Sequence, residues 1–251
     1  MKVISVINQK GGVGKTTTTY NIATLLAKKN YKVLMIDHDG QASLTLACAL
    51  NPIDLDLTMS NVYLENSELM DAALETDVDN LHIIPSNIKL TSAETALINA
   101  FARETILKNK LKKIADKYDY VIIDNPPHLG LLTINSLVAS DYLIVPCATN
   151  PMSTYALDDL FSTVDTVQSI NTNLKVLGIV ATMYNKVTKI DNAELDYLKD
   201  NYTVLGVIKS SIEASKGLAD GLPAVITSPK SELSKQYIET VENILNIMED
   251  K

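Results

Sequence analysis

The chain has 251 residues, 46% of them hydrophobic, with a formal charge of −8 and a pI of about 4.9. That is enough apolar sequence for one sizeable α/β core, and the acidic balance excludes a constitutive, strongly basic nucleic-acid binder while leaving room for a local basic face. Cys48 and Cys147 lie far apart, with no CxxC and no Cys/His cluster, which argues against a disulfide framework or a zinc site.

No uninterrupted apolar run reaches membrane-spanning length, and the chain opens on a strand rather than a charged region and an apolar leader. The expectation is a soluble, unprocessed, cytoplasmic protein, with residues 1–251 forming a single domain.

The first predicted element is the apolar run Val3 to Ile7, a buried strand. KGGVGKTT follows from Lys10 to Thr17, and a helical pattern then runs from Lys15 to Lys28, with Tyr20, Ile22, Ala23, Leu25 and Leu26 near helical spacing. Strand, glycine-rich loop and helix in that order make the context of a phosphate-binding loop. Gly11, Gly12, Val13 and Gly14 form the cradle, because glycines let backbone N–H groups turn onto phosphate oxygens where a Cβ would obstruct them. Lys15 reaches the β/γ-phosphates, the Thr16 hydroxyl is a Mg²⁺ ligand, and Thr17 reaches the α-phosphate. The helix start adds free N–H groups and the positive end of its dipole. One position departs from the usual loop: Gln9 stands where glycine is normal, followed by an extra Lys10. From spacing alone Lys10 reads as a solvated loop lysine.

Tyr31 to Asp37 reads as a second buried strand, which completes a βαβ unit with a parallel pairing. It delivers Asp37-His38-Asp39-Gly40-Gln41 to the strand end. Asp37 is placed to hold a water of the Mg²⁺ shell and Asp39 to orient the water that attacks the γ-phosphate; alternatively both cap the following helix. His38 faces the other way if the strand continues and reads as a bystander. The stretch from Asn51 to Asp79 is irregular, with a short helix expected near Ser67 to Leu74.

Leu81 to Pro85 is the next strand, and Arg103 to Lys117 a helix whose lysines 108, 110, 112 and 113 read as a solvated face. Tyr120 to Asp124 is an apolar strand ending in an acid, followed by Asn125-Pro126-Pro127-His128-Leu129-Gly130. Downstream of a phosphate-binding loop this reads as a Walker B element, with Asp124 on the Mg²⁺ side and a shaped loop suited to sensing ATP against ADP. Strands at Tyr142 to Pro146, Val176 to Thr182 and Val204 to Ile208 alternate with helices at Leu131 to Val138, Tyr155 to Ile170 and Asn192 to Asp200. A last helix spans roughly Glu232 to Met248, and Glu239 to Lys251 is acidic. The alternation predicts an α/β P-loop NTPase fold: a doubly wound, mostly parallel sheet with helices on both faces.

KGGVGKTT with its extra Lys10, DHDGQ and DNPPHLGLLTIN, together with Thr182 to Lys186 and Gly221 to Pro223, resemble the deviant Walker A ATPases of the ParA/MinD superfamily, most closely the ParA/Soj group of DNA-partitioning ATPases. The likeness covers nearly the whole chain. It implies ATP hydrolysis with Mg²⁺, an ATP-bound homodimer, an activating ParB-like partner, nonspecific double-stranded DNA as the track, nucleoid association and no membrane.

Position by position, the resemblance makes Lys10 the signature lysine that crosses the dimer interface to the other subunit's nucleotide. It makes Asp39 the acid associated with hydrolysis, Asp37 and Asp124 the Mg²⁺-side acids, and Asn185 an adenine contact. The single arginine, Arg103, lies outside every motif, so no arginine finger is evident and a lysine in that role is chemically sensible.

Two departures stand out. Gly40 replaces the family's usual proline, implying a more mobile first loop. Glu213 stands where a basic residue for DNA is expected, so lysines 186, 189, 209, 216, 230 and 235 are the alternative phosphate-binding face. Two further outcomes are a ParA-like ATPase positioning a protein cargo and a MinD-like membrane switch. The acidic C-terminal end argues against the latter, and a P-loop so close to the first residue argues against an operator-binding region ahead of it.

Overall fold

The computed structural model describes residues 1–219 and 221–249, and the last two residues of the acidic end lie outside them. The strands are β1 (Lys2–Val6), β2 (Val33–Asp37), β3 (Leu74–Glu75), β4 (Leu81–Ile84), β5 (Tyr120–Asp124), β6 (Tyr142–Ala148), β7 (Lys175–Tyr184) and β8 (Val204–Lys209). They form one sheet in the order β3-β4-β2-β5-β1-β6-β7-β8, parallel except for the short edge strand β3. Every residue of β2 and β6 is buried, so both faces of the sheet have to be covered by helices.

Those helices are α1 (Lys15–Lys28), α2 (Ser43–Ala47), α3 (Met59–Leu64), α4 (Lys89–Leu97), α5 (Ile106–Lys112), α6 (Leu131–Ala139), α7 (Pro151–Tyr155), α8 (Leu157–Gln168), α9 (Lys189–Asn201), α10 (Ile212–Ala219), α11 (Ala224–Thr227) and α12 (Glu232–Glu249). Strand alternation assigns their faces. Val33 and Met35 pack with Tyr20, Leu26, Tyr237 and Val241 of α1 and α12. Leu34 and Ile36 point the opposite way, into a cluster with Leu90, Leu107 and Leu111 of α4 and α5. A third cluster joins Leu143 and Val145 to Leu160, Val164 and Leu198 of α8 and α9.

Three expectations are corrected. The segment at 67–74 is a 3₁₀ turn over Leu69–Asp71 that runs into β3, because a two-residue antiparallel edge pairing with β4 captures its end. The helix expected from 103 to 117 is a 3₁₀ turn followed by α5, which ends at Lys112. Lys110 is not on a solvated face: its ammonium is buried and donates to the carbonyls of Asn66 (2.8 Å) and Ser67 (3.0 Å) and to Glu68 (3.4 Å).

The chain leaves β1 toward β2 on one side, and leaves β5 past β1 toward β6 on the other. The crevice beyond the carboxyl end of β1 is therefore the topological switch point, where open α/β sheets bind ligands.

Candidate active site

The glycine-rich loop fills that crevice. Gly12 and Gly14 have φ of +73° and +86°, values that a side chain with a Cβ strongly disfavours, and Gly14 caps α1 from a left-handed conformation. The first turn of α1 carries no acid and points its free N–H groups into a cavity of about 420 Å³. Gly11, Gly12 and residues 14–17 form one wall of it, Asp39 and Gln41 a second, and Asn125 and Pro127 a third. Lys15 is 8% exposed, and its Nζ donates to the carbonyl of Lys10 at 3.2 Å. Burial pushes the Lys15 ammonium below its ordinary pKa, against the pull of Asp124 and Asp39.

Register brings the two strand-end acids together: Asp124 is paired with Val6 on one side and with Asp37 on the other. The Thr16 hydroxyl donates to Asp124 Oδ2 at 2.6 Å, and Thr19 to Oδ1 at 3.4 Å. Burial, followed by repulsion from Asp37, lifts the Asp124 carboxyl to about 7, although Thr16 and Lys15 oppose the shift. Burial likewise lifts Asp37 to about 6. Asp37 is occupied within the protein: Oδ2 accepts the Thr45 amide (2.8 Å) and hydroxyl (2.7 Å), and Oδ1 the Asp39 amide (3.2 Å). Its carboxylate thus caps α2, the alternative left open at that position. Asp39 instead faces the cavity, with Oδ1 accepting the Gln41 amide at 2.9 Å.

His38 is fully buried on the opposite face from Asp37. Asn125 donates its amide hydrogens to the carbonyls of Val6 (3.3 Å) and Ile123 (3.1 Å), so its oxygen is an acceptor for His38 Nδ1 at 3.5 Å. His38 Nε2 then accepts the Tyr63 hydroxyl at 2.8 Å. Burial depresses the imidazole to about 4, which keeps it neutral. His38 is therefore a strut beneath a cavity residue.

The Lys10 ammonium donates to Asn150 Oδ1 at 3.1 Å, and the same oxygen caps α7 by accepting the Ser153 amide at 3.1 Å. Gly40 sits against Thr91 of α4, where an added Cβ would approach Thr91 Oγ1 to 2.6 Å, so close packing rather than loop freedom accounts for the glycine. Asn185 lines neither cavity at the loop. Its side-chain oxygen accepts the Val187 backbone amide at 3.1 Å, and its backbone N–H donates to Asp191 Oδ2 at 2.8 Å. A second cavity of about 230 Å³, beyond Gly14 and Thr17, is lined instead by Thr182, Met183, Ile208, Lys209 and Tyr237. Sequence reasoning missed Asn150, Tyr63, Thr45 and Ile208; only an Asn before Pro151 carried a signal, that of a helix cap.

Lysines 186, 189, 216, 230 and 235 are exposed, whereas Lys209 is paired with Glu232 at 3.0 Å. Glu213 sits in the first turn of α10 and accepts the Ser211 hydroxyl, which holds its carboxyl below the usual range. Among the described residues no helix is long and apolar enough to cross a membrane.

Residues 1–176 match a family described as AAA domain. The sporulation initiation inhibitor protein Soj of Bacillus subtilis is 33% identical over 247 residues, covering 97% of this chain and 98% of Soj. The chromosome partitioning protein ParA of Myxococcus xanthus is 31% identical over 242 residues, covering 94% of this chain and 85% of that protein. Among solved structures, cobyrinic acid a,c-diamide synthase from Mycobacterium smegmatis, with bound ADP and magnesium, is similar at a TM-score of 0.85 and 33% identity over 99% of this chain and 96% of that one. With the loop, the paired strand-end acids and the parallel sheet in place, the chain belongs to this AAA domain family and to the ParA/MinD superfamily of P-loop ATPases.

Proposed function

We propose that this ATPase is a dimerising switch of the ParA type: ATP binding joins two subunits, the dimer holds double-stranded DNA nonspecifically, and a ParB-like partner triggers hydrolysis and release. The observation that carries the reading is the 420 Å³ cavity itself, on which the phosphate loop, Asp39 and the loop after Asp124 converge. Gly11 to Gly14 and the α1 N-terminus cradle the phosphates, Lys15 neutralises the β/γ-phosphates, and Thr17 reaches the α-phosphate. The base lies in the cavity lined by Met183, Ile208 and Tyr237.

Mg²⁺ suits the donor set. The Thr16 hydroxyl and the Asp124 carboxylate are hard oxygen donors already in contact, and two adjacent buried acids favour a divalent cation. Thr16 and Asp124 would hold it, Asp37 acting through its charge and through its cap on α2. The bound ion supplies charge neutralisation at the phosphates. Asp39 orients the attacking water, and Lys10 completes the partner subunit's site once Asn150 releases it.

The five exposed lysines are the DNA-contacting groups, doubled in a dimer and lying on one cytoplasmic, nucleoid-associated protein of a single domain. Glu213 and the paired Lys209 favour a second reading, in which the same switch positions a protein cargo. Retention on duplex DNA with ATP and Mg²⁺ separates the two. Binding that weakens steeply between about 50 and 200 mM salt supports the DNA track, and no retention at the lower salt leaves the protein-cargo reading.

A further inference from the structure

Both loops that flank the cavity rest on one helix. Thr91 of α4 packs against Gly40, between the cavity residues Asp39 and Gln41. One turn further along, Glu94 Oε2 accepts the N–H of His128 Nε2 at 3.0 Å, and Gly130 lies so close to Glu94 that an added Cβ would overlap its carboxylate. Positions three apart share a helix face, so a single stripe of α4 touches the loop after β2 and the loop after β5.

The second loop is held from both ends. Thr133 Oγ1 donates to the His128 carbonyl at 2.7 Å, and Asn125 and Pro127, just before His128, form a cavity wall. Glu94 Oε1 is buried and accepts from no donor among the described residues, which leaves it free for a loop N–H when the wall shifts. The core contacts of α4 run through Leu90, Ala93 and Leu97 instead. Glu94 is therefore set against the loop rather than among the residues that hold the helix in place.

We infer that Glu94 is a positioning residue for ATP hydrolysis: through His128 it fixes the 125–130 loop on α4, in register with the Asp39 loop that Thr91 seats through Gly40. The inference rests on the reading of this cavity as the hydrolytic site. The His128 imidazole is exposed but the Glu94 carboxylate is partly buried, and a hydrogen bond to a charged group is enough to alter a rate by about tenfold when it sets the loop.

The test compares wild type, Glu94→Ala and Glu94→Gln by single-turnover ATP hydrolysis, affinity for a non-hydrolysable ATP analogue, and hydrogen exchange at residues 125 and 128–130. Glu94→Ala is expected to slow hydrolysis about tenfold while analogue affinity stays within about twofold, with faster exchange at 128–130. Glu94→Gln, whose amide oxygen still accepts from His128, recovers most of the rate. Equal losses in both variants, a loss confined to affinity, or unchanged rate and exchange in Glu94→Ala each overturn the inference. A wild type that binds no nucleotide fails the ATP reading instead, and the exchange comparison still decides whether Glu94 braces the loop.

Discussion

In the Asp124→Asn variant the site loses the carboxylate that burial and Asp37 hold near 7, while Asn Oδ1 can still accept from the Thr16 hydroxyl. An aspartate lifted from its ordinary 3.8 to about 7 binds a proton in the folded chain through a range where the unfolded chain has released it. Asp124 therefore makes wild-type stability fall as pH rises from about 4 to about 7, and the variant keeps only the smaller slope that the raised Asp37 contributes. At 1.36 kcal/mol per pKa unit the ionised acid costs at most about 4 kcal/mol. Lys15 loses an attractive neighbour in the variant, which reduces the expected gain at pH 8 to roughly 1–3 kcal/mol.

For a chain of this size that is a rise of roughly 3–10 °C in Tm. Thermal and urea unfolding between pH 4 and 8, without nucleotide or Mg²⁺, measures it. The gap should be small at pH 4 and open by pH 7. A variant less stable than wild type at pH 8, or a gap that ignores pH, refutes the reasoning. With ATP and Mg²⁺ added the order should reverse, because wild type gains binding free energy that the variant forgoes.

Lys110→Ala strands the carbonyls of Asn66 and Ser67 and should lower urea-derived stability by roughly 2–3 kcal/mol, against roughly zero for the exposed Lys112→Ala. Gly40→Ala places a Cβ against Thr91 Oγ1 and should cost about 1–2 kcal/mol in the same assay. Adding Thr91→Ala should restore most of it, and a Gly40→Ala protein of wild-type stability would return the glycine to a role in loop freedom.

Most of the parallel sheet was legible because β2, β5 and β6 are β-branched runs buried on both faces, a pattern that helices seldom imitate. KGGVGKTT was legible because the loop depends on backbone conformation, and glycines at 12 and 14 announce it. The region from 43 to 97 was not, apart from the strand expected at Leu81 to Pro85, which forms β4. Helices α2 and α3 have five and six residues, too few for a periodic pattern, and tertiary contacts decide them. Helix α4 did carry a signal in Leu90, Ala93 and Leu97 at helical spacing. Lys110 was misread from its basic neighbours, although it shares the helical face of Leu107, Leu111 and Ile114. His38 reads as a bystander in the chain and becomes a strut only when the fold brings the Tyr63 hydroxyl, 25 residues further on, to donate to its Nε2.

The ATP-driven switch is tested most directly by light scattering and phosphate release on wild type, Lys10→Ala, Lys15→Ala and Asp39→Ala with ATP and Mg²⁺. The account predicts that Asp39→Ala accumulates as a dimer at twice the 27.4 kDa subunit mass without releasing phosphate. Lys15→Ala should remain monomeric because it holds no nucleotide, and Lys10→Ala should bind ATP yet hydrolyse it slowly. An Asp39→Ala protein that turns over ATP at the wild-type rate, or that stays monomeric with ATP bound, contradicts it.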